Sequence, residues 1–228
     1  MRLRRAYGWG RLIAASACLG TLTYRLVFSL LKQSMIGQNF FAYLTMQSNI
    51  AFALVTAVGG VIALHRMADP AWFTAIRGLV ITWTVTAGLG FAIIVWQASV
   101  RGIKIGVPWP DIVLHFVIPA LALVTWITAP GRTAAPWRIV PLALIYPIVW
   151  GIFTLWRGAR VGWYPYYFMD PRLISGPMEF VVSSGILLAV FAAVAAGLVW
   201  ISHHHSTLPH GVGDGVGSGT KYASDASA

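Results

Sequence analysis

Residues 73–97 read FTAIRGLVITWTVTAGLGFAIIVWQ and carry a single formal charge, Arg77. A helix of about 20 mostly apolar residues crosses the hydrocarbon of a bilayer. This run is long enough, and it is continuous rather than alternating in the short segments of a membrane barrel. Lipid offers no hydrogen bonds to a backbone, so only helices and closed barrels span it. The stretch therefore reads as a transmembrane helix.

Five further runs extend that reading outward, at residues 8–31, 41–64, 111–128, 138–157 and 179–201. The expected fold is all-α, a polytopic integral membrane bundle of about six transmembrane helices over residues 1–205. The tail, residues 206–228, is rich in Gly, Ser and Ala and is expected to be disordered. The long connection at 158–178 is dense in aromatics, which suits an interfacial belt or a lid over a site.

Composition narrows the function classes. Charged residues make up 10% of the 228 and hydrophobic residues 58%, against about a quarter charged in a soluble domain. The net charge of +10 does not imply nucleic-acid binding, because the basic residues are scattered between apolar runs. The one Cys, Cys18, lies inside an apolar run, so no disulfide framework or thiolate metal site is expected. No phosphate loop, His-Glu-x-x-His or Cys pair occurs, and neither metal nor cofactor is expected. The three adjacent residues His203, His204 and His205 read as solvated rather than metal-bound.

Arg2, Arg4 and Arg5 precede the first span and favour a cytoplasmic N-terminus. Six spans then return the C-terminus to the same side of the cell membrane. Hydrophobicity resumes beyond Cys18, so the first span reads as uncleaved.

Polar residues within a membrane default to a functional reading. Thr45 and His115 each lie about four residues into their spans, and both approach the same membrane surface. Ser48 and Asn49 follow Thr45 at helical offsets of three and four, and Asp111 precedes His115 by four. Arg25, Arg157 and Glu179 fall at that surface too. Only Arg11 and Arg77 lie toward the other, so the polar complement is expected to be one-sided. Pro119 lacks an N–H and should leave the carbonyl of His115 without its helical partner; Pro147 should do the same to Ala143.

At Tyr43-Leu44-Thr45 and Leu114-His115-Phe116-Val117-Ile118-Pro119 the chain resembles the androgen-induced and androgen-dependent family of integral membrane proteins, and more closely its bacterial six-span relatives. Ile76-Arg77-Gly78, and Trp156-Arg157-Gly158 leading into Gly162-Trp163-Tyr164-Pro165-Tyr166, extend the resemblance across all six spans. Animal members are threonine hydrolases of fatty acid esters of hydroxy fatty acids. The resemblance implies Thr45 as nucleophile and His115 as its base. The surroundings Gln47-Ser48-Asn49 and the Trp-Tyr-Pro-Tyr loop depart from the animal pattern. On this reading Asp111 orients the imidazole, and Asn49, Gln47 and Arg157 are candidate oxyanion donors. The partners implied are membrane lipids and an amphiphilic small-molecule substrate. A transporter or binding protein with a one-sided polar cavity is the alternative, and an assembly partner without a site is a third.

Overall fold

The structure, a computed structural model, describes residues 2–33, 38–100, 102 and 106–204, without the side chains of residues 97 and 98. The tail and His205 lie outside the described residues. Among the described residues all regular structure is helical. The described residues form six long helices: α1 (Arg2–Leu31), α2 (Leu44–His65), α3 (Ala71–Val100), α4 (Trp109–Thr128), α5 (Ile139–Val161) and α6 (Pro177–His204). Each is long and apolar enough to cross a bilayer, as an integral membrane protein requires.

The helix lying on the deciding stretch is the central one. α3 packs against α2, α4, α5 and α6, and α1 lies along α2. The core gathers Phe52, Val80, Ile81, Ile118, Ala122 and Trp126 between these helices. Outward-facing Leu54, Val58, Ile145, Val149 and Ile152 are exposed, as residues facing hydrocarbon must be.

Several expected boundaries move, the start of α1 furthest. α1 starts at Arg2 rather than residue 8, because Arg4 and Arg11 turn inward and are buried. α2 starts at Leu44 rather than 41. Phe40–Ala42 forms a separate 3-10 turn, so Thr45 falls in the first turn of its helix.

The expectation of one-sided polarity is corrected. At the end where both α1 begins and α6 finishes, Asp69 is wholly buried in the short α2–α3 connection. It accepts from Arg4 Nη2 at 2.6 Å and Arg11 Nη2 at 3.3 Å, with Arg77 Nη1 at 3.9 Å. Arg4 also donates to the carbonyls of Arg66 and Pro130, and Arg11 to that of Gly59. The carboxylate thus joins arginines of α1 and α3, and Arg4 and Arg11 extend the cluster to α2 and the α4–α5 connection. Arg77 and Arg132 both lie over the Trp126 ring, at 5.4 and 5.1 Å.

Pro147 behaves as its chemistry demands. The Ala143 carbonyl that it leaves free accepts the Trp83 indole N–H at 3.1 Å, tying α5 to α3. Gly158 has a packing role: a Cβ there would lie 2.0 Å from the Tyr164 ring, so the Arg157-Gly158 pair seats the start of the α5–α6 loop.

Asp69→Asn leaves three buried guanidinium groups without a compensating carboxylate. We expect a loss of about 3–5 kcal/mol, against about 1 kcal/mol for Trp83→Phe, read from unfolding in detergent. Equal losses would show that the arginines do not depend on Asp69.

Candidate functional site

Pro119 sets the local backbone of α4. Because residue 119 has no N–H, the α-helical ladder cannot run through it, and Val113–Val117 form a π turn. The Ile118 N–H bonds to the Val113 carbonyl, five residues back. The Leu114 carbonyl then receives neither Ile118 nor Pro119. Asn49 Nδ2 donates to it across the helix interface at 3.2 Å, and to the Thr45 carbonyl at 2.9 Å. The His115 carbonyl faces Gly88 of α3, where a Cβ would lie 2.6 Å from it. Only glycine permits that approach without a shift of one helix.

The π turn carries His115 (6% exposed) into a cavity of about 560 Å³. Its Nδ1 lies 2.8 Å from the Asp111 carbonyl. A carbonyl can only accept, so Nδ1 carries a proton, and in the neutral imidazole Nε2 keeps its lone pair. The imidazole stacks on Phe91 at 3.7 Å between ring centroids.

Asp111 therefore orients the imidazole through its carbonyl, where the sequence suggested its carboxylate. The carboxylate is engaged by Arg25, whose Nε and Nη2 donate at 2.7 and 2.9 Å. That bidentate pair fixes α1 to the start of α4. Ser29 accepts from Arg25 Nη1 at 2.7 Å. Arg25, Thr45, Asp111 and His115 all line the one cavity.

Thr45 does not bond back along its helix as Thr82 and Thr84 do. Thr82 and Thr84 donate to the carbonyls four residues back, Gly78 and Val80. In the first turn of α2, the carbonyl four residues before Thr45 is that of Phe41, outside the helix and occupied by Gln47 Nε2. The Thr45 hydroxyl instead faces the phenol of Tyr166. No hydrogen bond joins Thr45 directly to His115 among the described residues.

Tyr166 is the site residue the sequence did not single out. α2 has no side-chain cap of its own, and the Tyr166 phenol faces the backbone N–H groups of Leu44 and Thr45 at its start. Burial outweighs these contacts and pushes the phenol up to about 12, so it stays a hydrogen-bond donor at ordinary pH. The one available signal was the absence of Ser, Thr, Asp or Asn at position 43. Pro165, Tyr167 and Phe168 line the cavity beside Tyr166. This part of the loop closes the site. The loop is braced by Arg172, which donates to Asp170 at 2.6 and 2.9 Å and holds that carboxyl below its usual range.

The three candidate oxyanion donors lie elsewhere. Asn49 is fully buried between α2 and α4 and positions backbone. Gln47 donates to the Phe41 carbonyl and accepts from the Tyr146 hydroxyl at 2.7 Å. Arg157 donates to Asn39 Oδ1 at 2.7 Å and lies over Trp163. None of the three lines the cavity. Glu179 accepts from the Ser175 N–H and hydroxyl at the start of α6. His203 bonds to the Ala135 carbonyl and His204 to that of Trp200.

No protein family, curated protein or solved structure matches this chain.

Tyr166 gives the site a pH signature. A phenol raised from 10.0 to about 12 keeps its proton in the folded protein while the unfolded chain loses its own. Stability is then expected to fall as pH climbs from 10.0 toward 12. Tyr166→Phe should remove that part of the slope and cost about 0.5–2 kcal/mol at neutral pH, the loss of a helix cap. An unchanged slope in unfolding titrations would contradict the burial of the phenol.

Proposed function

We propose that this protein is an integral membrane hydrolase of lipid esters, with Thr45 as nucleophile and His115 as general base. The observation that carries this reading is the convergence of a Thr hydroxyl free of helical back-bonding and an imidazole with a free Nε2 on one cavity. The resemblance to the androgen-induced family selects the same two residues.

The steps follow from the groups present. The Thr45 hydroxyl attacks the ester carbonyl carbon, and its proton passes to His115 Nε2, directly or through one water. The developing oxyanion takes a hydrogen bond from the Tyr166 phenol, which lies at the positive N-terminal end of α2. Collapse breaks the ester C–O bond, and the imidazolium returns its proton to the leaving alcohol. Water then attacks the acyl-Thr45 carbonyl, again giving its proton to His115. The acid departs and the Thr45 hydroxyl is restored. Arg25 and Asp111 are positioning residues, since their pairing holds the carbonyl that fixes the imidazole tautomer.

Buried Phe52, Val80, Ile81 and Ile118 belong to the core packed between the helices, and none of the three arginines around Asp69 lines the cavity. That arrangement suits a reaction chamber better than a path through the membrane. In this reading the arginine-rich end is cytoplasmic, and the cavity belongs to the opposite surface of the cell membrane.

Thr45→Ala and His115→Ala should each lower hydrolysis of a long-chain acyl ester about 10²–10⁴-fold with unfolding temperature near that of wild type. Full activity in both variants, in a reconstituted assay, would sink the proposal.

A further inference from the structure

The cavity holds a polar atom that the reaction above does not use. Thr86 Oγ1 is buried and has no hydrogen-bond partner among the described residues. Thr82 and Thr84, on the same helix, each bond back one turn, and Thr86 does not. Its side chain lines the cavity instead. The Thr84 hydroxyl also reaches the Ser48 carbonyl at 3.4 Å, which sets the register of α3 against α2. In antiparallel helices that register brings Thr86 level with Thr45.

The wall beyond Thr86 is apolar and incomplete. α6 is buried only at Phe191, Ala195, Leu198, Val199 and Ser202, all in its second half. No residue from Pro177 to Val190 is buried. The first half of α6 therefore stands off from α3, and the cavity continues between them. Ile93 and Ile94 face it from α3, and Ile186, Leu187 and Val190 from α6. Ile93 is 47% exposed and Ile186 60% exposed, so the opening meets the hydrocarbon surrounding the bundle rather than water. Thr86 to Ile94 covers about 12 Å of helix. The cavity size falls within the range of about 300–1,000 Å³ that suits small-molecule ligands.

We propose that the ligand is a long-chain acyl compound that enters sideways from the membrane between α3 and α6, with its carbonyl oxygen accepting from Thr86 and its chain lying against Ile93, Ile94, Ile186 and Leu187. The choice of an acyl carbonyl rests on the lipid-ester reading; binding through this opening does not require hydrolysis. An orphaned buried donor needs an acceptor, and the apolar slot leading from it to the lipid admits a methylene chain.

Gly90 lines the slot, and a Cβ there meets nothing within 4 Å. Gly90→Leu therefore fills the slot without striking the backbone, and leucine is a better helix former than glycine. Gly20 on α1 is exposed and equally open, so Gly20→Leu is the control. The test uses a long-chain fatty acyl ester with a diazirine near mid-chain, photolysed with protein in liposomes, with labelled residues mapped by mass spectrometry. Each substitution is made in wild type and on a Thr45→Ala background, where the ester survives. Expected is labelling at 89–94 and 183–190 that excess unlabelled ester displaces. Gly90→Leu should reduce it more than tenfold. Thr86→Val, which keeps the side-chain shape, should weaken displacement by the unlabelled ester roughly fivefold. Gly20→Leu should match its parent. Labelling spread over the lipid-facing residues of all helices, or unchanged in Gly90→Leu, would overturn the proposal. Slot labelling without hydrolysis in wild type would uphold it while removing the hydrolase reading.

Discussion

A helix in lipid must satisfy its backbone internally, and Pro119 withholds one N–H in the middle of α4. The site follows from how the chain answers that deficit. The ladder widens into the π turn Val113–Val117, which leaves the Leu114 carbonyl to be met from outside. Asn49 meets it, and the same amide holds the Thr45 carbonyl. Gly88 lets α3 close on the turn. The imidazole that results is stacked, tautomer-fixed and turned into the cavity. One missing proton donor thus couples the backbone of the proposed nucleophile to that of the proposed base.

The two ends of the bundle use charge differently. Around Asp69, three arginines converge on one carboxylate and on carbonyls of the neighbouring connections, which fastens helices that have no hydrophobic drive to associate in lipid. At the cavity, Arg25 and Asp111 form a closed pair, so neither charge is left to polarise a ligand. The groups facing the cavity are then mainly neutral hydroxyls, a phenol and an imidazole. Such a set suits an uncharged ester more than an ion.

Much of this was legible in the sequence. Six long apolar runs gave the helices, because the hydropathy of a membrane span depends on composition and needs no partner. Pro147 announced its orphaned carbonyl for the same local reason, whereas at Pro119 the π turn shifts the deficit from the expected His115 carbonyl to that of Leu114. That Thr45 and His115 reach the same level of the bundle, where both line one cavity, followed from depth. What escaped were contacts between distant segments. The Asp111 carboxylate found Arg25 rather than His115, and Asn49 turned to a backbone carbonyl rather than a ligand. Asp69 lies in a five-residue connection with nothing nearby in sequence to mark it as a hub. Tyr166 sits among aromatics that suit a membrane interface equally well, and only folding shows which ring turns inward.

The central claim is that the Thr45 hydroxyl is activated by the site built around it. The most direct measurement is fluorophosphonate labelling of the purified protein in detergent, with the modified residue identified by mass spectrometry. Labelling of wild type at Thr45, absent from Thr45→Ala and from His115→Ala, is the expected result. A folded, monodisperse protein that does not react, or reacts equally with His115 removed, would contradict an activated hydroxyl at this site.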